Sequence, residues 1–306
     1  MRLYKDILSK LVQSKLFITN EALQAELARI YAADISEIEL PTYSSATNSL
    51  AKKLSAVGVN LTTNFRDTNI EENSIALHRI EGTIFSEYDY WGYYFSTFQF
   101  IDDLEAAEAN DKITGHFVYI NSGGGDAYYL DIAAAAFKNL TKPSMGFVRE
   151  HMCSAALYLG IYLDKLYANT PFETIGAIGT MVAFWDIVPY FETLGFKWHE
   201  HYADQSKLKN KKYNDLLEGK PKQFIEDELN PLAAEFIRTV KDARPATASA
   251  PEEVFQGETY YTPKALEIGL IDGQMLIEDA IQELITTIDQ QQETNINRKA
   301  ILNLIN

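Results

Sequence analysis

From Ser74 onward the chain alternates short apolar runs with segments of helical period, and this alternation limits the possible folds more than any other feature. Residues 75–85 (IALHRIEGTIF) read as a strand and 94–110 as a helix. Residues 116–120 (HFVYI) read as a buried strand that runs into Asn121-Ser122-Gly123-Gly124-Gly125. An alanine-rich helix over 127–140 follows, then a strand at 144–148, a helix over 151–163 and a short strand at 165–168. Strands separated by helix-length segments pair in parallel, with the helices crossing over the sheet faces. The expected fold class is therefore layered α/β. Residues 223–240 read as a long helix broken near Pro231, and 276–288 as another.

The ends of the chain have a different texture. Leu8, Leu11 and Val12, then Leu23, Leu27 and Ile30, fall at helical spacings, with Thr19 and Asn20 as N-cap candidates between them. Residues 1–73 thus read as a helical extension or arm, in which 41–63 is either a linker or a loosely packed stretch. The core domain is expected over 74–282. Residues 283–306 read as a polar tail whose last apolar patch, Ile301, Leu302, Leu304 and Ile305, suits a short helix.

Charge and cysteine usage exclude several classes of function. With 27 Lys and Arg against 43 Asp and Glu the net charge is −16, which opposes nonspecific binding to nucleic acid or anionic membranes. No apolar run approaches the roughly 20 residues of a membrane span, and the first residues carry charge where a secretory signal needs an apolar stretch. A cytoplasmic protein without an anchor is expected. The single cysteine, Cys153, excludes an internal disulfide and a cysteine-based zinc site.

Three segments could carry chemistry. A strand ending in Gly123-Gly124-Gly125 and entering a helix would present bare backbone N–H groups to a phosphate or an oxyanion, or form only a tight turn. It is not a dinucleotide loop, because Tyr128 stands where the third glycine belongs, and no Gly-Lys-Ser/Thr follows to make it a Walker loop. Ser154, in Met152-Cys153-Ser154-Ala155-Ala156, opens an apolar helix among small residues. It is either an N-cap or a nucleophile with the Ala155 N–H as oxyanion donor. Cys153 is a competing nucleophile or inert core.

A nucleophilic serine needs a base. No histidine lies between His151 and His199. His199 and His201 alternate on an expected strand, as metal ligands, bases or a packed pair, and His116 sits in a buried strand with a structural role. The remaining source is the run Lys207-Leu208-Lys209-Asn210-Lys211-Lys212, either a solvated loop or the base. A lysine base must be neutral, which asks for a fall of about 2–4 units from ~10.4, or ~3–5 kcal/mol. Burial and like charges act in that direction.

In this order the segments resemble the SppA family of serine peptidases, which includes signal peptide peptidase A and the phage prohead proteases, within the ClpP/crotonase superfamily of spiral ββα folds. Ile175-Gly176-Ala177-Ile178-Gly179, Leu194-Gly195, the series Phe236, Val240 and Arg244, the stretch 255–261 (FQGETYY) and the stretch 265–272 (ALEIGLID) add to the match, which runs roughly from Ile75 to Glu278. The resemblance implies a Ser/Lys dyad of Ser154 and Lys207, with Lys209 as the alternative base, and oxyanion donors at Gly124 and the Ala155 N–H. It implies no cofactor or metal, a homo-oligomeric ring, and protein or peptide substrates such as scaffold or capsid proteins. Three departures stand out: Gly123 replaces the family's proline, Ala155-Ala156 its Gly-Gly, and Ala177 a serine that helps hold the lysine, for which Thr174 or Thr180 could substitute. Two other readings remain at this point: a catalytically silent scaffold, and an acyl-CoA enzyme, which would want a basic patch for its cofactor.

Overall fold

The computed structural model describes residues 16–18, 59–89, 94–184, 186 and 188–305, and only the backbone of 16–18 and 299–305. The apolar periods at Leu8 to Val12 and Leu23 to Ile30 lie outside the described residues. The strands are β1 (Leu16–Ile18), β2 (Leu61–Thr62), β3 (Ser74–Phe85), β4 (Phe95–Ser96), β5 (Ile113–Asp126), β6 (Ser144–Cys153), β7 (Lys165–Ala168), β8 (Thr174–Gly176), β9 (Thr259–Tyr261) and β10 (Gly273–Gln274). The helices are α1 (Thr97–Ala109), α2 (Leu130–Lys138), α3 (Ala155–Gly160), α4 (Val188–Thr193), α5 (Lys211–Leu217), α6 (Lys222–Phe224), α7 (Asn230–Ala243), α8 (Thr262–Glu267) and α9 (Ile277–Ile305).

The strands form one sheet with the central order β10-β7-β6-β5-β3-β2, all of it parallel. Side-chain alternation divides the core in two. Ile80, Val118, Ile120 and Val148 face α1, α2, α3 and α7. Leu77, Phe117, Tyr119 and Phe147 face α9 through Ala280, Ile281, Leu284 and Ile288. The layered α/β core with parallel pairing expected from the sequence is present.

Three local expectations are corrected and a fourth is met. First, β5 continues through the glycines to Asp126 and α2 begins only at Leu130, so the triple glycine is strand and not a helix N-terminus. The cause is the approach of β3: a Cβ on Gly125 would lie 2.0 Å from the Ile84 carbonyl oxygen. Second, β6 extends to Cys153 because His151, Met152 and Cys153 pair with Thr174, Ile175 and Gly176 of β8, which leaves only 155–160 for the helix expected over 151–163. Third, the tail expected from 283 is the continuation of α9, a single helix of 29 residues. Its Leu284 and Ile288 are core residues, and Gly115 makes room for the Ile288 side chain. Fourth, the helix expected over 223–240, broken near Pro231, is interrupted as expected: α6 passes into a π turn at Ile225–Leu229 and then into α7, with Pro231 just after the irregularity.

A polar chain crosses one end of the core. His78 Nε2 and His116 Nδ1 are 3.1 Å apart, and His116 Nε2 lies 2.9 Å from Glu108, which also accepts from the Thr141 hydroxyl and N–H. His116 therefore has the structural place expected of it. Burial, with the His116 charge adding, holds the His78 imidazole well below 6.5. Burial opposes ionisation of Glu108, but hydrogen bonds from His116 and Thr141 outweigh it and bring its carboxyl to about 2. The unfolded chain binds a proton at residue 78 that the fold refuses, so stability falls as pH drops below ~6.5. The Glu108 contribution, complete above 4.5, is lost as pH falls from there toward about 2. Thermal unfolding should show a Tm drop on the order of 3 °C between pH 7 and 5. In His78→Phe that upper limb should flatten, and in Glu108→Gln the lower one.

Candidate active site

Ser154 occupies the turn between β6 and α3 with φ 56° and ψ −120°. A residue with a Cβ holds such a conformation at a cost of about 1–3 kcal/mol, and only when its surroundings fix it. Here the Ser154 N–H donates to the Gly176 carbonyl (2.9 Å) and the Tyr158 N–H donates to the Ser154 carbonyl (2.9 Å). Ser154 is 2% exposed beside fully buried Ala155 and Ala156. Its hydroxyl does not cap α3, which removes the N-cap reading. Ala155, as the first residue of α3, has an N–H without an i−4 acceptor inside the helix.

Neighbouring pairs place Ser154 relative to the glycines. Ser122 of β5 pairs with Met152 of β6, and that is the last pair before the two strands part. Gly124 and Ser154 each lie two residues beyond it, which puts them within roughly 5–10 Å, one to two strand spacings. Gly124 has φ 106°, and its N–H donates to Ser122 Oγ (3.1 Å), which in turn donates to the Gly82 carbonyl (2.5 Å). The Gly124 donor is thus engaged within its own strand.

The other side of the turn is built by β8 and β9. The Ala177 N–H donates to the Glu258 carbonyl (2.8 Å), and a Cβ on Gly176 would meet that same oxygen at 2.7 Å. The stretch 255–261 therefore serves to hold 175–178 against Ser154. Cys153 is buried with its thiol donating to the Thr174 carbonyl (3.3 Å), the inert-core alternative of the sequence reading. Thr180 Oγ1 is buried and without a hydrogen-bond partner among the described residues.

Lys207 is not brought to Ser154 within this chain. It follows a one-turn 3-10 helix at Asp204–Ser206, is exposed, and no described hydrogen bond joins it to buried Ser154. The strand expected at His199 and His201 is absent because these residues have no partner strand among those described. His199 and His201 are exposed with rings stacked 6.5 Å apart, and no metal-binding cluster occurs among the described residues. Within the basic run, Lys211 is paired with Asp215, and Lys212 with Asp227 (3.1 Å) and Glu228 (2.9 Å). Among the described residues Lys207 and Lys209 have no ion pair.

Arg244, legible beforehand only as one member of a motif series, supports the site from behind. Its guanidinium donates to the Ile161 and Leu163 carbonyls (3.1 and 2.9 Å), closing the C-terminal end of α3, and to Asp272 (2.8 Å). Asp272 also accepts from the Leu166 N–H (2.7 Å). Arg244→Met leaves the Ile161 and Leu163 carbonyls without their donor and Asp272 without its cation, and should lower unfolding stability by about 3 kcal/mol, measured by denaturant titration.

The described residues thus form a parallel α/β sheet that carries a strained serine at a strand-to-helix turn beside a glycine strand. Residues 136–291, just over half of the chain, match the Peptidase family S49 model, and the chain belongs to that family. It is 22% identical over 196 residues to the Methanocaldococcus jannaschii protein named "Putative protease MJ0651", covering 60% of each chain. It is 25% identical over 196 residues to the Enterococcus faecium protein named "Putative signal peptide peptidase SppA", covering 60% of this chain and 54% of that one. The matches thus span less than two thirds of either relative. Among solved structures, a variant of the 1510-N membrane-bound stomatin-specific protease aligns with a TM-score of 0.44 at 13% identity, over 70% of this chain and 86% of that one. Family membership agrees with the resemblance read from the sequence, and the parallel sheet with the layered α/β class expected there. No described helix is long and apolar enough to cross a membrane.

Proposed function

We propose that this protein is a serine endopeptidase in which Ser154 is the nucleophile and Lys207 the general base. The observation that carries the reading is the backbone of Ser154, held at φ 56° on the edge where β6 leaves β5. The Lys207 amine takes the Ser154 hydroxyl proton as Oγ attacks a peptide carbonyl carbon. The oxyanion is held by the Ala155 N–H and by Gly124, whose N–H must first exchange Ser122 Oγ for the new acceptor. The proton passes to the leaving amine, the C–N bond breaks, and water then hydrolyses the acyl-serine ester. The orphan Thr180 hydroxyl is suited to accept a hydrogen bond from the lysine, in the role that Ala177 cannot fill.

Lys207 stands on an arm whose apolar side chains are bare: Tyr190 is 63% exposed, Phe196 63%, Trp198 70% and Leu208 79%. A patch of that kind favours burial against another chain. In the reading proposed here the cover is a second copy in a homo-oligomer, and assembly brings Lys207 to a Ser154. The substrates are proteins in extended conformation, with scaffold or capsid proteins of an assembling prohead as the finer proposal, drawn from the family resemblance.

Two observations favour a second reading, a catalytically silent assembly factor: the engaged Gly124 N–H and the alanine at 177. Incubating assembled wild-type protein and Ser154→Ala with casein, and co-expressing each with candidate capsid proteins, separates the two. Cleavage by wild type alone supports the peptidase, equal cleavage by both removes Ser154 from the chemistry, and intact substrate in every case supports the silent factor.

A further inference from the structure

Strand β1 runs antiparallel to β5, with Leu16 opposite Asp126, Phe17 opposite Gly125 and Ile18 opposite Gly124. A strand has two edges. Over these residues one edge of β5 is taken by β3, since Thr83 pairs with Gly124 and Ile84 with Gly125. The other edge belongs to β6 as far as the Ser122–Met152 pair, after which β6 turns away to Ser154 and pairs with β8 instead. β1 therefore fills the edge that β6 vacates, on the side of the Ser154 turn.

That edge is suited to a visiting strand. Glycines inside a strand often mark a place where another backbone approaches closely, and Gly124 and Gly125 offer main-chain groups with no side chain of their own. Extended peptides bind sheet edges by adding a strand, with affinity from main-chain hydrogen bonds. β1 spans only three residues and is antiparallel, whereas the β5 pairings with β3 and β6 are parallel. Its few hydrogen bonds, each worth about 1 kcal/mol net, make it displaceable.

We propose that residues Leu16–Ile18 are an internal substrate-like strand that occupies the peptide-binding edge Gly124–Asp126 and competes with incoming peptide, so that the chain restrains its own site until the strand is displaced. This deepens the peptidase reading and rests on it for the purpose of the edge, although the occupancy itself needs no catalysis. A tethered strand has an effective concentration in the millimolar range, so a free peptide of tens of micromolar intrinsic affinity would be weakened roughly 10- to 100-fold.

The test uses the full chain carrying Ser154→Ala, so that nothing is cut. A fluorescent peptide with the sequence of residues 12–23 is titrated into this protein and into the same protein with Phe17→Pro, which removes a main-chain donor, or with Phe17→Asp. Both second variants should bind the peptide at least tenfold more tightly than Ser154→Ala alone. Amide exchange at 125–126 should be faster in both second variants than in Ser154→Ala, and slow again when peptide is added; the Gly124 N–H, held by Ser122 Oγ, should not change. Equal affinity in all three proteins, or no binding to any, overturns the proposal. Because no hydrolysis is read, loss of the catalytic reading by wild-type assay would leave this result standing, and the reverse also holds.

Discussion

Ser154→Ala should lower peptide hydrolysis by at least ~10³-fold while leaving the fold in place. The side-chain change removes only a hydroxyl that neither caps α3 nor anchors the turn, because the bonds to Gly176 and Tyr158 are made by the main chain. Unfolding stability should therefore stay within about 1 kcal/mol of wild type. Ser154→Gly sharpens the point. Glycine reaches φ 56° without a Cβ penalty, so this variant should be more stable by about 1 kcal/mol and equally inactive. A serine kept at a position where glycine is the lower-energy choice is explained by its hydroxyl. If Ser154→Gly were destabilised, the assignment of backbone strain would be wrong.

Lys207→Ala should lower the acylation rate by about 10²–10⁴-fold, the range for loss of a general base, and Lys209→Ala by less than about threefold. The ion pairs of Lys211 and Lys212 make these two lysines poor candidates, and the choice between Lys207 and Lys209 is left to this comparison. Since Lys207 is exposed on an apolar arm while Ser154 is buried, activity should rise with protein concentration as the oligomer forms. Mixing Ser154→Ala with Lys207→Ala subunits reports whether the pair is completed across a subunit boundary, because mixed rings would then contain intact sites. A strictly monomeric species with full activity would exclude the assembly part of the reading.

The parts of this molecule legible in the sequence are those where local pattern and tertiary environment agree. The apolar runs of β3 and β7 are buried strands, and the residues of β7 match the expected 165–168. Glycine carries no strand signal, so the continuation of β5 through Gly123–Gly125 was invisible; it is imposed by the contact with Ile84. The extension of β6 to Cys153 likewise depends on β8, a three-residue strand far along the chain. In α9 the helix legible at 276–288 runs on through the polar residues to Ile305, and Ile288 is core where Gly115 yields space for it. β1 is too short for any periodicity to identify. At the site, Ser154 was legible from its small neighbours and its order among the motifs. Its backbone strain, the engaged Gly124 N–H and the Arg244 clamp are tertiary facts with no local signature.

The most direct measurement is active-site labelling with a fluorophosphonate, read by peptide mass spectrometry after exhaustive reaction of the assembled protein. The account predicts one adduct, on the peptide containing Ser154, absent in Ser154→Ala and formed far more slowly in Lys207→Ala. Peptide hydrolysis that persists while Ser154 remains unmodified, or that survives in Ser154→Ala, would contradict it.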